Sequence, residues 1–346
     1  LALDIFGNNI LVVDSVLNSI TVFRMTEYGA MINEALYMHR IGRYEEASEK
    51  WQKVLDYNGN YELAYVGVGR ALLRQNKYAQ AMKNFKYGNR RNLYSRTFEY
   101  YRKNLVRQNF GLVLLGLCVI ITGTTLCVKY KDRVFRTNNK LLSSLKYSLY
   151  LIFHPFDGFW DLKHEKRGSL ASSGIIVLML TATYILRKQL TGFIFNPNDP
   201  RKLNVFIELT SVIIPYVLWC VANWCLTTLM EGEGSFKDIL IYTAYSLVPL
   251  IVINLFLIPF SRVITMEEGA FYTFFTQLAN IWSLALILIG TMITHQYSMK
   301  KTLFTSATTI AGMGIIVFIG LLVFDLSQQM ISFIYIIYRE VSFRLL

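Results

Sequence analysis

Cysteine and histidine are scarce in this chain, four of each in 346 residues. Cys118, Cys127, Cys220 and Cys225 all fall inside long apolar runs, and no two form a CxxC pair. His39, His154, His164 and His295 are scattered. This spread gives neither a disulfide framework nor the clustered ligands of a zinc site. Buried cysteines of this kind behave as small hydrophobes. Nucleotide-binding signatures are also missing: there is no GxxxxGKS or GxxxxGKT and no GxGxxG after a strand. HExxH, GxSxG and a Ser/His/Asp or Cys/His set outside the apolar runs are absent as well. No enzyme activity, cofactor or metal is expected. The chain also lacks an initiator Met and a signal peptide, and it opens on Leu1 in what reads as the middle of a domain. It is therefore expected to be a fragment or processed product.

What is abundant is apolar sequence. Hydrophobic residues make up 53% of the chain, yet charged residues still reach 17%, and they are densest before residue 110. A run of about 18 apolar residues spans a ~30 Å hydrocarbon core. In lipid it must be helical, because only a helix satisfies its own backbone. Six candidate spans follow: Phe110–Val128, Ser172–Phe195, Phe206–Met230, Ile239–Phe260, Phe271–Thr294 and Ala307–Asp325. Met330–Tyr338 reads as an extension of the last. The expected fold class is all-α, a six-span bundle behind a soluble helical stack and a short β hairpin.

The net charge of +12 comes largely from Lys83–Arg107 and Lys129–Arg167, both beside predicted spans. Basic residues there fix orientation and meet anionic headgroups. A nucleic-acid partner would need a basic soluble face with stacking aromatics, and the aromatics sit mostly in the spans. Membrane lipid is the expected partner of this charge.

Residues 1–24 alternate and are rich in Val, Ile and Thr, with turn signals at Gly7-Asn8-Asn9 and Asn18-Ser19. Val13-Asp14-Ser15, Asn18 and Ile20-Thr21-Val22-Phe23 resemble one repeat of an NHL-type propeller. That likeness would place the other repeats upstream.

Residues 28–88 repeat internally. Gly42, Tyr44, Ala47 and Trp51 recur 34 residues later as Asn76, Tyr78, Ala81 and Phe85. That period, with small and aromatic residues at these offsets, marks tetratricopeptide repeats. Tyr65 and Gly69 fit the first helix of the second unit. Met31, Ala35 and Asn76 depart from the pattern, and the usual closing Pro is missing. A third helix near Asn92–Arg107 is expected to cap the array. Such stacks display a concave face to a protein partner. Arg40 and Arg74 hold the same repeat position, and Arg70 lies one turn before Arg74. These three either line a basic groove suited to an acidic peptide, since Arg forks match carboxylates, or decorate a solvated face.

Between the first two spans, Leu142, Leu145, Leu149, Ile152 and Phe153 recur at spacings of three and four, an amphipathic helix. It breaks at His154-Pro155. Phe156, Phe159 and Trp160 then suit headgroup depth. This helix, the "GFWDLKHEKRGS" linker and five spans resemble the Yip family (Ypt-interacting proteins). So does "ANWCLTTLMEGEGSFKDILIYTAYSLVP", with its acidic Gly-rich turn at Glu231–Ser235 and Tyr245–Pro249. The likeness covers Leu141–Arg339. With the parts before it, the chain resembles a bacterial accessory membrane protein of Gram-positive bacteria. That implies association with solute uptake, notably ABC importers of carbohydrates.

Intramembrane ionisable groups are functional candidates by default. Glu208 and Asp325 are those candidates here. The competing reading for each is a place near a helix end. The expected domains are 1–25, the end of a propeller repeat; 26–107, the repeats and cap; 108–130, the first span; 131–170, a cytoplasmic interfacial segment; 171–339, the five-span domain; and 340–346, a tail. The expected role is a non-catalytic adaptor in the cell membrane, its N-terminal part extracellular. The alternative is a transport component carrying a small solute or ion.

Overall fold

The computed structural model describes residues 2–6, 9–14, 16–129, 139–198 and 202–345. Gly7 and Asn8 of the first expected turn, and Lys131, Arg133 and Arg136 of the basic segment, lie outside the described residues. The chain divides into two compact units. The first takes residues 1–129, 193–197 and 264–269, and the second takes the rest.

In the first unit, β1 (Ala2–Phe6), β2 (Asn9–Asp14) and β3 (Ser19–Arg24) form an antiparallel sheet in the order β1-β2-β3. Ile5 lies opposite Ile10, and Val12 opposite Thr21. The expected hairpin is thus a three-stranded meander, because Ala2–Phe6 supplies a further extended strand. Asn18 closes the second turn at φ +47°, a conformation asparagine tolerates.

Helices α1 (Glu27–Arg40), α2 (Tyr44–Tyr57), α3 (Glu62–Arg74), α4 (Tyr78–Tyr87) and α5 (Arg91–Gln108) follow, each packed on the one before it. Thr26 starts α1 by accepting the Gly29 N–H. The turns after α1 and α3 repeat the same geometry. Arg43 N–H bonds the Met38 carbonyl, and Lys77 N–H bonds the Leu72 carbonyl. The turn residues Gly42 (φ +83°) and Asn76 (φ +59°) are both left-handed. Asparagine therefore does the work of the glycine it replaces. Ala47 and Ala81 are fully buried, as are Trp51 and Phe85. Each aromatic contributes roughly 1.5–3 kcal/mol by its burial. Gly67 and Gly69 make room for them: a Cβ on Gly67 would lie 2.1 Å from the Trp51 ring, and one on Gly69 would lie 2.7 Å from Phe85. The unit continues into α6 (Phe110–Lys129).

The second unit holds α7 (Lys140–Phe153), α8 (Pro155–His164), α9 (Leu170–Leu190), α10 (Val205–Leu229), α11 (Phe236–Ser246), α12 (Val248–Phe260), α13 (Gly269–His295) and α14 (Met299–Leu345). α9 packs on α10, α11 and α12, and α10 packs on α14. Tyr242, Tyr245, Leu151, Phe159, Ile176 and Leu286 are among the buried side chains of one continuous core. Ser169–Ser172 and Ser235–Asp238 form capping boxes at α9 and α11. Pro155 starts α8, and Pro249 sits in the first turn of α12.

Among the described residues, five segments are long and apolar enough to cross a membrane: α9, α10, α11 with α12, α13 and α14. The sixth expected span, Phe110–Val128, is helical as α6. It enters that count only as half of a bent pair with α5. α14 runs unbroken through Met330–Tyr338 for 47 residues. At 1.5 Å per residue that is about 70 Å, twice the bilayer core.

The spacing of Leu142, Leu145, Leu149, Ile152 and Phe153 falls on a helix, as expected. Ser144, Ser148, Leu151 and Ile152 face the core, while Leu142, Leu149 and Phe153 are exposed. Small hydroxyl residues such as Ser144 and Ser148 let helices approach closely.

Candidate functional site

The three arginines singled out in the repeats do not line one pocket. Arg74 stacks on the Tyr44 ring at 5.0 Å and lines a separate shallow pocket with Gly42 and Glu46. Arg40 is exposed and lines neither pocket. Arg70 alone enters the main groove of the stack, a cavity of about 670 Å³. There it meets His39, Arg90 and Arg91, above a floor of Trp51 and Gly67. No acidic side chain is among the lining residues.

Within this groove Arg70 Nη1 lies 2.7 Å from His39 Nε2. A guanidinium only donates, so Nε2 accepts and the imidazole is neutral, with its proton on Nδ1. Burial and the adjacent Arg70 charge both lower the His39 pKa. His39 Nδ1 and Trp51 Nε1 are buried and have no hydrogen-bond partner among the described residues. Arg91 is held at the rim by the Asn196 carbonyl and the Phe193 ring. Arg90 and Arg91 lie just past the repeated segment, so the 34-residue period gave no reason to group them with Arg70. Nearby, Arg102 makes a two-pronged pair with Glu268, both bonds at 2.8 Å, and Ser95 accepts the Met266 N–H.

In the second unit, Glu208 is 7% exposed near the start of α10 and pairs with Lys188 of α9. The pair lines a cavity of about 480 Å³ with Tyr184, Tyr216, Trp219 and Met313. Asp325 is exposed on α14 and accepts a bond from Gln329 Nε2 one turn on. The two acidic candidates therefore occupy different settings, an interhelical ion pair and an open helix face.

Several further polar residues tie the bundle together. Tyr245 Oη lies 2.6 Å from Ser144 Oγ and 2.9 Å from Ser172 Oγ. Tyr242 Oη bonds Asn223 Oδ1 and Thr291, and Asn223 Nδ2 donates to Thr309. Arg187 donates to Asn254 Oδ1 and to the Tyr272 hydroxyl. The acidic turn folds over His295: Gly234 N–H donates to His295 Nδ1, and Glu233 pairs with Lys163 at 3.0 Å. A Cβ on Gly232 would lie 2.5 Å from that ring nitrogen, which explains the glycines there. Each of these groups is spent on packing. Among the described residues, no three His, Cys, Asp or Glu converge as metal ligands.

A family model described as the Yip1 domain matches residues 149–321, half of the chain. The match is shorter at both ends than the stretch whose resemblance was read from the sequence. No curated protein matches the chain, and neither does any solved structure.

Proposed function

The chain belongs to the Yip1 domain family, and on that premise we propose that it is a non-catalytic membrane adaptor. It is a membrane protein with several apolar helices, and among the described residues five segments are long and apolar enough to span. In this reading the bundle anchors the protein and associates with a membrane transport system, a carbohydrate ABC importer among the candidates. The helices of residues 26–107, read as tetratricopeptide repeats behind an NHL-like strand segment, bind a protein partner on the outer face of the cell membrane. The observation that carries this reading is the groove around Arg70: concave, lined by cationic and apolar groups, and free of acids. The partner-binding set proposed from sequence, Arg40, Arg70 and Arg74, narrows to Arg70 with Arg90 and Arg91.

The test is copurification of the tagged full chain with mass spectrometry. A transporter subunit should be recovered in stoichiometric amount. It should be lost when residues 26–107 are deleted or when Arg70 is changed to Glu. Recovery unaffected by either change refutes the adaptor reading.

A second reading, a transport component for a small solute or ion, draws on the cavity beside Lys188 and Glu208. Asp325→Asn and Glu208→Gln separate the two readings. Loss of solute uptake at normal expression, with copurification intact, favours transport.

A further inference from the structure

A second cationic cavity lies at the opposite end of α9 from Lys188 and Glu208. It occupies about 740 Å³ and is bounded by the start of α7 and the loop that enters α9. Its charged lining is Lys140, Lys166 and Arg167, and Ser143 and Ser169 add hydroxyls. Leu141 and Ala171 make part of the same wall apolar. Arg167 is partly neutralised by Glu165 at 2.6 Å and Asp161 at 3.4 Å, and it stacks over Tyr147. Among the described residues, Lys140 and Lys166 enter no ion pair of this kind. Lys166 sits at φ +53°, a conformation that is uncommon for a lysine. The first amides of α9 are already taken by its Ser169–Ser172 capping box. The charge of the cavity is therefore that of its side chains and not of a bare helix end.

Position decides what such a cavity meets. α9 is a span of 21 residues beginning at Leu170. Residues 166–169 and 139–141 flank its first turn, at the depth where phosphate groups lie. Beside them α7 and α9 carry outward apolar side chains, Leu142, Leu149 and Leu170, all about half exposed, with the exposed Lys146 between the first two. A ligand with an anionic head and hydrocarbon tails satisfies both surfaces at once.

We propose that Lys140, Lys166 and Arg167 form a headgroup site for an anionic phospholipid of the surrounding bilayer. The phosphate oxygens accept from the two lysines, the hydroxyls of Ser143 and Ser169 bond the headgroup, and the acyl chains lie along the apolar faces of α7 and α9. The site holds the junction of the interfacial helices to the first span of the second unit. It does not depend on the adaptor reading.

The test uses the full chain in nanodiscs containing phosphatidylcholine and phosphatidylglycerol, with retained lipid counted by native mass spectrometry after release into detergent. Phosphatidylglycerol should be retained over phosphatidylcholine. At about 1 kcal/mol per basic residue, Lys140→Gln with Lys166→Gln should weaken that preference about tenfold to thirtyfold. Lys300→Gln with Lys301→Gln, a basic pair at the start of α14, should leave it unchanged. Millimolar inorganic phosphate or glycerol phosphate should not displace the lipid. Equal losses in the two double variants would show a diffuse surface attraction and overturn the site. Displacement by free phosphate would assign the cavity to a soluble anion and overturn the lipid. Unchanged retention in Lys140→Gln with Lys166→Gln would remove the proposal altogether.

Discussion

Replacing Gly67 by Ala tests how the helical stack is held together, because two effects of opposite sign meet at one atom. In an ordinary helix interior, Gly to Ala stabilises by up to about 1 kcal/mol, since glycine loses more backbone entropy on folding. In α3 the added Cβ would lie 2.1 Å from Cδ1 and Nε1 of Trp51 and 2.8 Å from Cε2. Trp51 is 1% exposed in the cluster with Ala35, Ala47, Val54 and Ala64. Its indole can yield only by displacing that cluster or by leaving its buried seat for the groove above it. Overpacking of this kind costs about 1–3 kcal/mol, and a clash with a rigid ring belongs at the upper end. The net expectation is a loss of about 1–2 kcal/mol. For a domain of this size, 1 kcal/mol shifts Tm by about 4–8 °C, so Tm should fall by about 4–16 °C. The assay is thermal unfolding of residues 26–108 followed by circular dichroism, in parallel with the full chain. Trp51→Leu, itself destabilising, supplies the control background. There Gly67→Ala should be neutral or stabilising, because the obstructing ring is gone. If Gly67→Ala raises Tm in the wild-type background, the close packing described for α2 and α3 is wrong. If the fragment shows little helix, the reading of a self-supporting stack fails with it.

Three further outcomes are expected. Glu208→Gln removes the carboxylate that faces the Lys188 ammonium, which is 41% exposed. The cost should therefore fall well below the roughly 3–5 kcal/mol of a fully buried pair, at about 1–2 kcal/mol, with most of it restored by adding Lys188→Gln; equal loss in the single and double variants would show the pair to be idle. The Arg102 guanidinium beside Glu268 holds its carboxyl down at about 2. A depressed carboxylate pKa gives stability that is complete above its ordinary value near 4.5 and lost as pH falls toward 2, so a pH series of melting temperatures should show this acid-side loss flattened in Glu268→Gln. In a cysteine-free background, Asn58→Cys should react with an impermeant thiol reagent in intact cells and Asn138→Cys only after permeabilisation; the reverse pattern would invert the proposed orientation.

The sequence alone determined those features that depend on local chain chemistry. The apolar runs located α9 to α14 because backbone in lipid must bond to itself. The 34-residue recurrence located Ala47, Trp51, Ala81 and Phe85 in the core because identical turns return the chain to the same face. The break at His154 followed from Pro155, which cannot continue a helix from within. Contacts between distant segments had no such signal. Lys188 and Glu208 are twenty residues apart with a loop between them, and only the packing of α9 on α10 joins them. Arg70 was separated from Arg40 and Arg74 by the way α3 rolls onto α2, which points Arg70 at His39 and Arg74 at Tyr44. Which face of α7 turns inward was not legible in its apolar spacing, for a reason intrinsic to membranes. Periodicity identifies the inside of a protein only when the outside is water. In lipid both sides are apolar, so leucine carries no direction. Close approach of backbones and hydrogen bonds between hydroxyls decide instead that Ser144 and Ser148 turn inward.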